Sequence, residues 1–186
     1  RHEFVAEVLK VARGISVGDP LDPRTQLGAM VDKAQLDRVL GYIHTGTQEG
    51  ARIILGGERA GGALADGFFL PPTIFDNVTN DMTIAREEIF GPVLSVISAK
   101  DHLHAVRIAN DSPYGLAASL WTSNLSRAHS MIRALRAGSV WVNCFDGGDI
   151  TMPFGGYKQS GNGRDRSLHA LDKYSELKSA WIDLQD

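Results

Sequence analysis

The sequence predicts an α/β chain built on a parallel βαβ sheet. Two observations predict it. From position 93 onward, short β-branched runs alternate with amphipathic stretches: strand 93–97, helix 103–109, strand 116–121, helix 125–135 and strand 139–143. The junctions carry matching boundary residues, with Asn124 or Ser123 placed to cap the second helix and Gly138 to end it. Each crossover is expected to be right-handed.

The totals fit one domain with a real core: 186 residues, 43% hydrophobic, 22% charged, net charge −3. Lysine, arginine and carboxylates are interspersed, so no basic stripe points to nucleic acid. No apolar run reaches membrane-spanning length, which argues against an integral membrane protein. The single cysteine, Cys144, excludes an internal disulfide and favours a reducing, cytoplasmic setting.

Before position 93 the elements follow in order. Phe4, Val5, Val8, Leu9 and Ala12 fall at helical spacing from the outset, without an initiator methionine. The chain therefore reads as one entered in mid-protein, a carboxyl-terminal portion of something longer. A Gly/Pro/Asp loop over 14–28 follows, then an amphipathic helix over about 32–47 with Leu36, Val39, Leu40 and Ile43 on one face. A strand at 51–55 ends at Gly56-Gly57, and 58–67 is a glycine-rich surface loop. Pro71 and Pro72 forbid helix in 68–75, which should be extended.

The most informative stretch is Arg86-Glu87-Glu88-Ile89-Phe90-Gly91-Pro92-Val93. Met82, Ile84 and Ala85 run into it as a helix, Gly91-Pro92 stops that helix, and a buried strand is expected next. Glu88 and Phe90 should thus stand on a tight corner, held by rigid flanks and able to face a ligand. The plainer alternative is a surface carboxylate pair beside a core phenylalanine. Further on, strand 139–143 ends at Cys144-Phe145-Asp146-Gly147-Gly148-Asp149, and strand ends in parallel sheets are where ligands gather. The run Pro153-Phe154-Gly155-Gly156-Tyr157-Lys158-Gln159-Ser160-Gly161-Asn162-Gly163-Arg164 lacks the order of a phosphate loop, and it follows the last parallel strand where a dinucleotide fingerprint would open a unit. A final segment, 166–174, reads as a short helix. Residues 176–184 read as a strand apolar on both sides, which wants a partner.

Two of these stretches, Glu87 to Val93 and Pro153 to Arg164, resemble the signatures of the NAD(P)-dependent aldehyde dehydrogenases, and the resemblance extends over nearly the whole chain. It implies that residues 1–174 are the carboxyl-terminal part of the catalytic domain and 175–186 an oligomerisation strand or tail. The implied reaction oxidises an aldehyde to a carboxylic acid with NAD, NADP being the alternative. By the same resemblance, Glu88 holds the nicotinamide ribose and Phe90 packs beside the nicotinamide. Gln35 and Arg38 lie near the cofactor's ribose, Arg38 standing where the family commonly has lysine. Phe154 lines the substrate tunnel, and Cys144 either lines it or is a small buried hydrophobe. Asp146 and Asp149 either favour a cationic substrate tail or make Asx turns. The tail from Pro153 to Lys178 looks most like the branch acting on aminoaldehydes of polyamine breakdown, such as γ-glutamyl-γ-aminobutyraldehyde. The resemblance places no catalytic residue in this chain, the nucleophilic cysteine and general-base glutamate being expected upstream. Cys144 has no neighbouring base to make it one. Histidine spacing supports no metal site. Implied partners are a small aldehyde, the amino-terminal part of the same protein and further copies in a homo-oligomer. A folded, non-catalytic module for assembly or binding is the alternative reading.

Overall fold

A computed structural model describes residues 1–184 of the chain. They fall into two units, divided between Lys100 and Asp101, inside the span 1–174 expected as one piece.

In the first unit, helix α1 (His2–Arg13) and helix α2 (Lys33–Gln48) precede strands β1 (Arg52–Leu55) and β2 (Thr73–Val78), a single helical turn α3 (Thr83–Arg86) and strand β3 (Val93–Ile97). Strand β2 is the centre of the sheet, antiparallel to β1 and parallel to β3. It is also the most buried run, with only Asn77 exposed among its six residues. Helix α2 begins where the Asp32 carboxylate accepts the amide of Gln35 at 2.7 Å. Its stripe Leu36, Val39 and Ile43 then packs with Leu70, Phe75, Val78, Ile84 and Ile89. Phe75 and Val39 are fully buried, and each such side chain contributes about 1.5–3 kcal/mol. One ionised group sits in this interior. Asp76 is 5% exposed, and it is bridged by Arg52, its cross-strand neighbour, at 3.0 Å, and by Arg1.

The second unit contains helix α4 (His102–Asn110), strands β4 (Tyr114–Gly115) and β5 (Ala117–Leu120), helix α5 (Leu125–Ala134), and strands β6 (Ser139–Val142) and β7 (Tyr157–Lys158). Strands β5 and β6 pair in parallel around α5, a single βαβ unit, while β4 and β7 pair antiparallel. Val106, Leu120, Ala128 and Leu135 form its core. Asn124 caps α5 through the amide of Arg127 at 2.8 Å.

The α/β class and the parallel pairing are as expected, but the strands are spread over three sheets. Apolar alternation fixes which face of a strand is inside, not which strand it joins. Strand β3 therefore pairs with β2 and not with β5, and it is an edge: Leu94 is 45% exposed where a buried strand was expected. Helix α5 stops at Ala134 with Leu135 as its cap, so Gly138 is not its terminator. Over 166–174 the helix is a 3₁₀ segment, Leu168–Lys173. Residues 176–184 form no strand, and Leu177 and Trp181 are exposed. A strand exists only as part of a ladder, and none of the described residues pairs with this segment. Positions 185 and 186, the end of the expected tail, lie outside the described residues. No helix among the described residues is long and apolar enough to cross a membrane.

Candidate functional site

The corner between α3 and β3 is fixed from inside and from one side. Inside, Ile89 is buried in the α2 core, and Gly91 lies flush on Val39. A Cβ on Gly91 would stand 2.7 Å from Cγ2 of Val39, a side chain with no exposure, so only glycine allows the approach. The Gly91→Ala variant is expected to lose about 1–2 kcal/mol in urea unfolding. Combined with Val39→Ala it should lose less than the sum of the two single changes, since the second removes the obstruction. Additive losses would mean that the two residues do not constrain each other. Between these anchors, Phe90 is forced into the left-handed region, φ 57°, and the residue is 73% exposed. An aromatic side chain held outward on strained backbone is a common mark of a ligand-facing position.

From the side, α2 presents a polar stripe. The Gln35 side-chain amide donates to the carbonyl of Phe90 at 2.9 Å and to that of Ile89 at 3.3 Å. The Tyr42 hydroxyl donates to Glu87 Oε2 at 2.8 Å. Just past the helix end, Glu49 accepts both the amide and the hydroxyl of Thr83, at 2.8 and 2.6 Å, which caps α3. Arg38 lies over the Tyr42 ring, 5.7 Å from its centroid. The Tyr42 hydroxyl, followed by the charges of Glu87 and Glu88, holds the Arg38 pKa above its ordinary value.

These contacts separate the two adjacent glutamates. Glu87 is occupied by Tyr42, whereas Glu88 forms no hydrogen bond among the described residues and has Arg38 as a charged neighbour. So Glu88, Phe90, Gln35 and Arg38 lie at one corner, where Gln35 uses its amide on the backbone. Sequence reasoning missed Tyr42 and Glu49 as partners of this segment. The signal was there: Gln35, Tyr42 and Glu49 are spaced seven residues apart.

The second unit holds the other candidates. Beyond β6, the loop folds back on Trp141, whose ring nitrogen donates to the Gly147 carbonyl at 2.6 Å and whose ring meets Phe145 at 5.7 Å. Cys144 in this loop is exposed, which excludes the small buried hydrophobe. Asp146 has left-handed backbone, φ 52°, and an exposed side chain. Asp149 makes an Asx turn: its Oδ1 accepts the amide and hydroxyl of Thr151 at 2.8 and 2.6 Å. Those bonds, the hydroxyl's first, hold its carboxyl below the usual carboxylate range. Phe154 lies apart on an extended arm. Its backbone exchanges hydrogen bonds with Asp165 at 2.9 and 2.7 Å, and Arg166 covers its ring at 5.7 Å.

Residues 1–180 match the model of the aldehyde dehydrogenase family. The chain belongs to that family. A relative in Escherichia coli, the NADP/NAD-dependent aldehyde dehydrogenase PuuC, is 51% identical over 98% of this chain and 36% of its own length. Among solved aldehyde dehydrogenases, a γ-glutamyl-γ-aminobutyraldehyde dehydrogenase from Burkholderia cenocepacia is 58% identical with a TM-score of 0.89, over 95% of this chain and 36% of that one. An indole-3-acetaldehyde dehydrogenase of P. syringae, solved with NAD+, is 57% identical with a TM-score of 0.91, over 97% and 36%. The chain thus spans a little over a third of the length of these aldehyde dehydrogenases. The sequence-based description of it as their carboxyl-terminal portion is corrected accordingly: the family match runs from residue 1 to residue 180, and the overlap with PuuC is 36% of its length, which is the extent of a segment and assigns it to no end. The statement that nucleophile and base lie upstream falls with that description.

Proposed function

We propose that this segment belongs to an enzyme that oxidises an aldehyde to a carboxylic acid with NAD+ or NADP+, and that its corner between α3 and β3 holds the nicotinamide riboside. The observation that carries the reading is the uncommitted carboxylate of Glu88, set beside the outward ring of Phe90. An ionised carboxylate accepts two hydroxyl donors at once, which suits a ribose diol, and a flat aromatic face suits a flat heterocycle. Arg38 is a charged neighbour of Glu88 on the same side of the corner, while Gln35 fixes the backbone beneath Phe90. These groups therefore fit the cofactor. When bound, the nicotinamide accepts the hydride that leaves the substrate carbon.

Substrate contacts fall to Phe154 and Cys144 as wall residues, and to Asp146 and Asp149 as acceptors for a polar or cationic tail. Asp146 is the stronger candidate of the two carboxylates, because Asp149 already serves Thr151. An aminoaldehyde substrate is in keeping with the name of one structural neighbour of this chain, a γ-glutamyl-γ-aminobutyraldehyde dehydrogenase. None of the residues assigned here acts as nucleophile or general base. The span 1–174 is read as catalytic-domain material and 175–186 as the element that joins copies into a homo-oligomer. A cytoplasmic setting goes with the single thiol.

Glu88→Gln in the enzyme carrying this segment tests the central point. The KM for NAD+ should rise about tenfold, with a smaller change in the KM for aldehyde, since an amide cannot accept both hydroxyls with full charge. An unchanged KM for NAD+ would remove Glu88 from the cofactor site.

A further inference from the structure

We propose that Tyr42 is a positioning residue that decides which of two adjacent carboxylates meets the cofactor. The inference rests on the assignment of Glu88 to the ribose, and it concerns a residue that makes no contact with the ligand itself.

Glu87 and Glu88 are consecutive, both exposed, and both charged neighbours of Arg38. Chemically they are equivalent acceptors, so a ribose, or the guanidinium of Arg38, meets two carboxylates on one turn. The structure breaks that equivalence at a single bond. The Tyr42 hydroxyl, half-buried on α2 between the core residues Val39 and Ile43, donates to Glu87 Oε2 at 2.8 Å. Arg38 lies over the Tyr42 ring at 5.7 Å and donates to the hydroxyl at 3.5 Å. Tyr42 packs against the core beside α2 and is held by Arg38, so its hydroxyl is a post to which Glu87 is tethered. Glu88, also a charged neighbour of Arg38, has no such tether among the described residues.

Without the hydroxyl, Glu87 becomes a second free carboxylate next to the same guanidinium. It then competes for Arg38 and repels the charge that Glu88 must keep at the ribose. The harm comes from the released carboxylate, not from lost packing, and this yields a distinctive test. Tyr42→Phe keeps the ring under Arg38 but removes the hydroxyl, which frees Glu87 and also ends the 3.5 Å bond that Arg38 donates to it. It should raise the KM for NAD+ about fivefold while kcat and the melting temperature change little, because the bond lost is a partly exposed one. Glu87→Gln still offers Tyr42 an acceptor. In the Tyr42→Phe background it removes the competing charge, and the double variant should return to within about twofold of the parent.

Full rescue supports the assignment. A Tyr42→Phe enzyme with unaltered KM for NAD+, or a double variant no better than Tyr42→Phe, overturns it, since lost packing would not be repaired by neutralising Glu87. Glu88→Gln run alongside separates this failure from that of the cofactor site. If Glu88→Gln weakens NAD+ binding and Tyr42→Phe does not, only the role of Tyr42 falls. If neither has an effect, the site itself is elsewhere.

Discussion

Gly138→Ala should lower the stability of the second unit by about 3 kcal/mol, the upper range for forcing atoms into packed space. A Cβ at this position would sit 1.7 Å from the carbonyl oxygen of Gly155 and 2.8 Å from its carbon, both backbone atoms. No rotamer can relieve such an overlap, so one chain must move. Residue 138 is poorly placed to yield: its amide donates to Gly115 at 3.0 Å, and Ser139 donates to Leu116 at 3.1 Å, which ties both to the strands beside β6. The other side is the arm that carries Phe154, and Gly155 is itself closed in by the Gly163 carbonyl and Arg164. Displacement of the arm is expected, with Phe154 carried off its bridge to Asp165. Urea unfolding followed by circular dichroism measures the loss, and faster proteolysis within 150–166 would locate it. A loss below about 1 kcal/mol would show that the approach is not a constraint.

Asp76→Asn is expected to cost the first unit about 2 kcal/mol at neutral pH. Burial by itself would raise the pKa of this carboxyl. Hydrogen bonds from Arg1, the Asn77 amide and Arg52, with the charge of Arg1, outweigh burial and hold it below its ordinary value. A depressed folded-state pKa gives stability that is present above the unfolded value, about 3.9, and is lost as pH falls through the folded one. The asparagine variant has no such proton to bind. Its melting temperature should therefore lie below the parent's at pH 7, and the two curves should converge as the pH is taken down through the carboxylate range. Other carboxylates titrate there too, but they do so in both proteins and cancel in the difference. A gap of constant size from pH 7 to pH 3 would mean that the charge on Asp76 contributes nothing.

How much of this was readable in advance depended on whether a feature is local. Helix α2 announced itself through the Leu36, Val39, Leu40, Ile43 stripe, which the core takes up, Leu40 at its margin, whereas the cap at Asp32 was found only in the structure. The corner at Phe90 followed from Gly91-Pro92, because proline's restriction acts on its immediate neighbour. Pairing was not readable. The run 93–97 looks the same whether it joins 73–78 or 117–120, and the choice is made by residues some 20 positions away in either direction. For 176–184, a strand-like composition has no ladder among the described residues, so its apolar positions stay exposed. The division of labour between Glu87 and Glu88 was hidden for a similar reason. Tyr42, which binds Glu87, lies 45 residues earlier, and the seven-residue spacing of Gln35, Tyr42 and Glu49 marks a stripe on α2 without saying which glutamate it meets.

The contacts made by α2 have a consequence for what this region can tolerate. Gln35, Tyr42 and Glu49 meet positions 90, 87 and 83 in turn, so the helix and the segment beside it run in opposite directions like a splint along a limb. Seven residues are nearly two full turns, about 10.5 Å of axis, and so each grip returns to the same side. Helical phase is thereby the quantity conserved within this structure. One residue inserted between 42 and 49 would rotate Glu49 by about 100° and release α3, leaving every other side chain chemically intact. Surface substitutions along α2 change one grip at a time, whereas any change in its length uncouples the segment from its splint at once.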